Sequence, residues 1–237
     1  MSREAILAGI RRGLRRGELP EDQRAMLEGR LAQHPRHLIP ARSLLPRPQQ
    51  VALFIANVEK EFGTVFRVPS VNDVPAAVAD YLAAQNLEPA FALAPALAET
   101  IPWGQRPLLQ FQARAAVPTD VVGVTAAFAG IAETGTLMLP SGAATPTTLN
   151  IVPETCVVVL HARRIVGPYE AAWDRLRAER TDDSTIEGGA GRFMPRNVML
   201  ITGPSRSADI EQTLELGAHG PRRLHVVIVD DDPEALP

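Results

Sequence analysis

Thr155-Cys-Val-Val-Val-Leu160 and Leu224-His-Val-Val-Ile-Val229 are runs that stay apolar almost throughout, and they decide the fold class. A strand with one wet face alternates polar and apolar side chains, whereas a strand covered on both faces does not. Around these two runs, helical and β-rich segments take turns along the chain. Val51, Phe54, Ile55, Val58 and Phe62 follow helical spacing, with Gly63 as the expected stop, and Thr64–Val68 reads as a strand. Ser70-Val-Asn-Asp73 has the form of a capping box ahead of a helix carrying Val74, Val78, Tyr81 and Leu82. Strands are expected at residues 90–94, 121–124, 136–139 and 197–202, and helices over Tyr169–Glu179 and Ala208–Leu216, the latter closed by Gly217. The expectation is an α/β domain with a mostly parallel or mixed sheet and helices on both faces.

The first 45 residues read differently. Ile6, Leu7, Ile10 and Leu14 mark one helix and Met26, Leu27 and Leu31 a second, followed by Pro35, Pro40, Pro46 and Pro48. Proline lacks an N–H and disfavours helix in its predecessor, so this stretch is a linker. The reading is an N-terminal helical arm and linker over 1–45 and an α/β domain over 46–237. Residues 1–50 hold 10 Arg against 5 Asp or Glu, in a chain of net charge −3. That basic segment is either a solvated helix face or a docking element for an acidic partner, an RNA, the chain's own acidic body or a second copy; the chain as a whole carries no nucleic-acid signal. Apolar residues at 46% and charged residues at 22% match a globular protein. No uncharged apolar leader or membrane-length apolar stretch is visible, so a cytoplasmic protein without membrane contact is expected.

Composition also excludes several chemistries. Cys156 is the single cysteine, which rules out an internal disulfide and a four-thiolate cluster. Lys60 is the single lysine and no Gly-Lys-Ser/Thr occurs, so the usual P-loop is absent. His34, His37, His161, His219 and His225 form no metal-ligand spacing, and neither a metal nor a cofactor is expected.

Three segments carry candidate chemistry. In Gly123–Thr136 a strand enters small residues, then Glu133-Thr-Gly135, then another strand; Gly123 and Gly135 permit close backbone approach, and Thr125, Thr134 and Thr136 offer hydroxyls. Glu133 is expected near a sheet end, where desolvation suits a carboxylate to base or nucleophile work; the alternative is a structural acid capping backbone N–H groups. Ile201–Glu211 reads as strand, turn and helix, with Gly203, Ser205, Arg206 and Ser207 at the helix mouth, a combination that favours an anionic ligand or serves only to cap the helix. Leu216–Arg223 places His219 between glycines, either at the sheet edge or exposed in a turn. The expected pocket joins Glu133 to the Ser205–Arg206 segment. Residues 181–195, rich in Gly and acids, have the length of a lid or of a simple mobile loop.

Gly123-Val-Thr with Ile131-Ala-Glu-Thr-Gly-Thr136, then Gly203-Pro-Ser-Arg-Ser-Ala-Asp-Ile-Glu211 and Gly217-Ala-His-Gly-Pro221, resembles the LUD-domain family. Within it the sequence is most similar to the lactate utilisation protein C branch, and the opening Met1-Ser-Arg-Glu-Ala-Ile fits as well. The resemblance implies a fold like that of CoA transferases and sugar-phosphate isomerases. It implies a part in oxidising L-lactate to pyruvate beside two iron–sulfur partner proteins, this chain being the member without clusters. It supplies no settled catalytic residue, and Phe128 stands where the family usually has Asp. Glu133-Thr-Gly135 is similar to the Glu-x-Gly of CoA transferases, whose Glu accepts an acyl group.

Overall fold

Ser2 caps the first helix, its Oγ accepting from the Ala5 N–H, and α1 runs Arg3–Gly13. A second helix, α2, spans Glu21–Gln33, and neither helix has a buried residue. In this computed structural model, which describes residues 2–15, 17, 19–181, 194–208 and 214–234, these helices belong to a compact unit of their own, Met1–Ile39. The second unit is Pro40–Pro237.

Pro46 and Pro48 begin the next helix, α3 (Arg47–Lys60), where proline's fixed φ fits the first turn. Val51, Phe54 and Val58 form its buried stripe. The stop is not quite where glycine suggested. Phe62 takes the left-handed conformation (φ 66°), and the Gly63 N–H bonds the Val58 carbonyl. Gly63 is needed for space instead, since a Cβ there would sit 2.7 Å from Val58 Cγ1.

The chain continues as β1 (Thr64–Val68), α4 (Val74–Ala84), β2 (Ala90–Leu93), α5 (Pro95–Ala98), β3 (Gln110–Ala113), β4 (Val122–Ala126), β5 (Ala129–Ile131), β6 (Thr136–Pro140), β7 (Thr155–His161), β8 (Ile165–Val166), α6 (Tyr169–Thr181), β9 (Val198–Ile201), β10 (Arg206–Ala208), β11 (Leu214–Leu216) and β12 (Arg223–Val229). Six strands form one sheet in the order β1-β12-β7-β4-β2-β3, every neighbouring pair parallel. The two apolar runs are neighbours at its centre, with Leu224 opposite Cys156 and Val229 opposite His161. Their alternate residues feed two cores. Val157, Val159, Val227 and Val229 pack against α4 and α5, while Cys156, Val158, Leu160, Val226 and Ile228 pack against α3. Helices thus flank both faces, as double burial requires.

A smaller sheet, β8-β5-β6-β9, adds Leu137 and Leu139 to the α3-side core. Its other face carries Ala129, Ile131 and Met138 against Ala172 and Leu176 of α6. Residues 182–193, most of the expected lid, lie outside the described residues.

The expected helix over Ala208–Leu216 is a correction. Arg206–Ala208 and Leu214–Leu216 are antiparallel strands, with Arg206 opposite Leu216, and residues 209–213 lie outside the described residues. Leu214-Glu-Leu216 alternates with the period of a strand.

Candidate functional site

The hairpin β5–β6 turns through Ala132-Glu-Thr-Gly135, and α3 holds that turn in place. Asn57 Nδ2 donates to the Ala132 carbonyl at 2.8 Å and to the Glu133 carbonyl at 3.3 Å. Gly135 adopts φ 70°, and a Cβ there would meet the Val58 backbone nitrogen at 2.6 Å. The turn needs glycine both for its conformation and for contact with the helix.

This contact aims the threonines at α6 and β9. Thr136 is fully buried, and its Oγ1 lies 2.6 Å from Thr134 Oγ1, 2.9 Å from Tyr169 Oη and 2.6 Å from Thr202 Oγ1. Tyr169 Oη also reaches Thr134 Oγ1 at 3.0 Å. Leu137 pairs with Ile201, so the residues just before and just after those positions, Thr136 and Thr202, stand across from one another. Four hydroxyls from three distant stretches of chain thus form one connected group, open at the exposed Thr202. The four contacts take up all four hydroxyl protons, so the group keeps acceptor capacity, and it offers a proton to a bound oxygen by giving up one contact within it.

Glu133 lies beside this group but is already engaged. Its side chain is 11% exposed, and Arg42 Nη2 donates to its Oε1 at 3.1 Å from a side chain 65% exposed. Its own N–H bonds the Gly167 carbonyl.

Thr202 leads into the second expected segment. Gly203 (φ 97°) presses on the end of α3, where a Cβ would lie 2.5 Å from the Glu61 carbonyl oxygen. The chain then brings Arg206 over the ring of Phe62, with the guanidinium carbon 3.4 Å from the ring centroid. The left-handed turn at Phe62 exposes that ring and makes the stack. Arg206 therefore stands on an aromatic face in a strand, with no helix mouth beneath it among the described residues. Ser207 lies in β10 opposite Glu215.

Ser205 is tied to the third segment. Its N–H bonds the Pro221 carbonyl, its carbonyl accepts from Gly217, and its Oγ accepts from the His219 N–H at 3.1 Å. His219 is exposed in this turn. A cleft of about 660 Å³ opens beside it, between Ile151–Glu154 and Leu216–Gly220, with Arg222 in its wall.

Gly123 and Thr125 lie within β4, inside the large sheet. A Cβ on Gly123 would stand 2.8 Å from Pro153 Cγ and 2.9 Å from the Leu149 carbonyl oxygen, so packing requires glycine. Thr125 is buried and its Oγ1 has no hydrogen-bond partner among the described residues. The structure thus joins Thr134 and Thr136 to Thr202, seats Gly135 and Gly203 on the same helix, and joins Ser205 to His219. Glu133 pairs with Arg42, and Arg206 stacks on Phe62. Tyr169, Asn57, Arg42 and Phe62 were not singled out as site residues from sequence. Tyr169 reads from sequence as the first residue of a helix, and the others become visible only through pairings far apart in the chain.

The LUD domain family matches residues 51–229, which takes in most of α3, the six- and four-stranded sheets and every residue of the hydroxyl group. The chain belongs to the LUD domain family. Lactate utilization protein C of Bacillus subtilis is 32% identical over 110 residues, 46% of this chain and 42% of that protein. The protein of the same name from Exiguobacterium sp. is 30% identical over 148 residues, 62% of this chain and 60% of its own length. The chain spans about half the length of the curated relatives it matches. A crystal structure of a duf162 family protein from Deinococcus radiodurans superposes with a TM-score of 0.57 at 19% identity, over 78% of this chain and 99% of that one, a likeness of fold. No helix among the described residues is long and apolar enough to cross a membrane.

Proposed function

We propose that this LUD-domain protein acts in L-lactate utilisation as a component without redox centres, working beside iron–sulfur partner proteins in the conversion of lactate to pyruvate. The names of its relatives support the pathway. The observation that carries the site is the hydroxyl group centred on Thr136, which touches Thr134, Tyr169 and Thr202 at 2.6–2.9 Å. Such a group suits a small hydroxy- or keto-acid, since lactate and pyruvate differ in one oxygen that either donates or only accepts, and hydroxyls serve both. Glu133 and Arg42 stand beside it as a carboxylate and an exposed cation, and an incoming carboxylate can compete for Arg42.

Deleting the gene and returning it tests this reading. Growth on L-lactate is expected to fail in the deletion strain and return with the wild-type gene. Purified iron–sulfur partners are expected to oxidise lactate faster when this protein is added. Full growth and full activity without it contradict the reading.

A second reading follows from Glu133 itself. A carboxylate held by one exposed arginine can be released when that arginine binds an anionic substrate, which suits a free-standing enzyme or sensor for a CoA ester or sugar phosphate. Saturable binding of those compounds, with none of lactate or pyruvate, favours this alternative.

A further inference from the structure

We propose that the protein self-associates about a two-fold axis through its outermost strand, pairing Gln110–Ala113 of β3 antiparallel with the same strand of a second copy. β3 ends the six-stranded sheet, and all four of its residues are exposed. Its inner side is accounted for. The Gln110 N–H bonds the Pro89 carbonyl at 2.8 Å and the Arg114 N–H bonds the Leu93 carbonyl at 3.1 Å. Backbone groups alternate in direction along a strand, so the N–H and C=O of Phe111 and Ala113 point away from β2, toward the open edge. Natural edge strands are commonly guarded by lysine, proline or a bulge, and Gln-Phe-Gln-Ala has none of these.

The sequence indicates a second copy as the occupant. Gln110-Phe-Gln112 reads the same in both directions, so an antiparallel pair centred on Phe111 is self-complementary. Phe111 faces Phe111 and exchanges both backbone hydrogen bonds with it. Each Gln110 faces a Gln112, whose amide both donates and accepts. Two pairs further out, Leu108 of each copy, 81% exposed, meets the other copy's Arg114 and can lie along its methylene stem. Arg114 presents little uncompensated charge there, because Asp120 holds it through two hydrogen bonds of 2.6 and 2.8 Å. Phe111 is 37% exposed and is backed by Phe91 and Trp103 at centroid distances of 5.9 and 5.8 Å, a supported aromatic surface. An isologous interface of this kind closes on itself and joins two six-stranded sheets into one.

Sedimentation of the full chain over a hundredfold concentration range should show a species of twice 25.6 kDa. Ala113→Pro removes an N–H that the single copy does not use, so it is expected to keep the unfolding midpoint and abolish the dimer. Phe111→Cys places two thiols at a hydrogen-bonded pair about 5.5 Å apart between Cα atoms, within disulfide reach. Mild oxidation should link it into a covalent dimer far faster than Phe66→Cys on the opposite edge strand, and this decides the matter should Ala113→Pro lower the unfolding midpoint. A monomer at every concentration overturns the proposal. So does a dimer that well-folded Ala113→Pro leaves intact, or one in which Phe111→Cys links no faster than Phe66→Cys.

Discussion

Thr136 Oγ1 lies 2.6 Å from Thr202 Oγ1, across the β6–β9 pair, and that contact joins two motifs separated by 66 positions in the chain. Thr136 is buried and bonded to three hydroxyls, while Thr202 is exposed. The two threonines should therefore respond differently to removal of their oxygen. Thr136→Val strands its partners in a buried setting and is expected to cost about 1–3 kcal/mol in urea unfolding, whereas Thr202→Val leaves a group that water can serve and should cost under about 1 kcal/mol. Equal losses would show that the network is not anchored at Thr136.

Gly135 is held by conformation and by space at once. Gly135→Ala imposes φ 70° on a side chain and pushes a Cβ to 2.6 Å from the Val58 nitrogen, so a loss of at least about 1 kcal/mol is expected. For a chain of this size that corresponds to a midpoint drop of roughly 2–4 °C per kcal/mol. Gly142→Ala is the matched control, since its Cβ meets only Thr145 Oγ1 at 3.6 Å. Calorimetry that finds the two variants alike would refute the role given to the α3 contact.

His225 is stacked on Tyr81 at 3.9 Å, and its Nδ1 lies 2.8 Å from Thr64 Oγ1. Burial lowers its pKa from 6.5 to about 4. The folded state therefore resists a proton that the unfolded chain accepts. The resulting stability is complete above pH 6.5 and is lost as pH falls toward 4, amounting to a few kcal/mol at most, about 1.4 per unit of pH. Urea unfolding at pH 7 and pH 5 should show this slope in the wild type and a shallower one in His225→Gln. Identical slopes would remove His225 as the cause.

Cys156 is fully buried in the α3-side core, and desolvation pushes its thiol up to about 12. A disulfide reagent at pH 8 should leave the folded protein unmodified and react fully after denaturation. Rapid labelling of the native protein would contradict that burial.

Local patterns account for much of the fold. β7 and β12 were legible because a strand covered on both faces can be apolar at every position, and α3 because Val51, Phe54 and Val58 keep helical spacing. β3 escaped notice because Gln110-Phe-Gln-Ala is a polar edge strand with no buried stripe. The segment after Gly203 was misread as helix, since Ser205 and Ser207 resemble capping residues while the pairing of Arg206 with Leu216 is not visible locally. Glycine at 63 drew the helix stop one residue too far, because its role is contact with Val58 and the left-handed turn falls on Phe62. At the site, Thr134 and Thr136 were recognisable as candidates, but their company was not. Thr202 and Tyr169 join them only through strand register and the seating of α6, which are long-range properties.

Titration of L-lactate and pyruvate into wild type and Thr202→Val by calorimetry tests the central claim most directly. Thr202 is exposed, so its substitution leaves a folded protein in which only the open end of the hydroxyl group has changed. Saturable binding to the wild type and at least about tenfold weaker binding to the variant are expected, the loss of one hydrogen bond to a charged ligand. Binding of equal strength in both proteins, or none in the wild type, would contradict it.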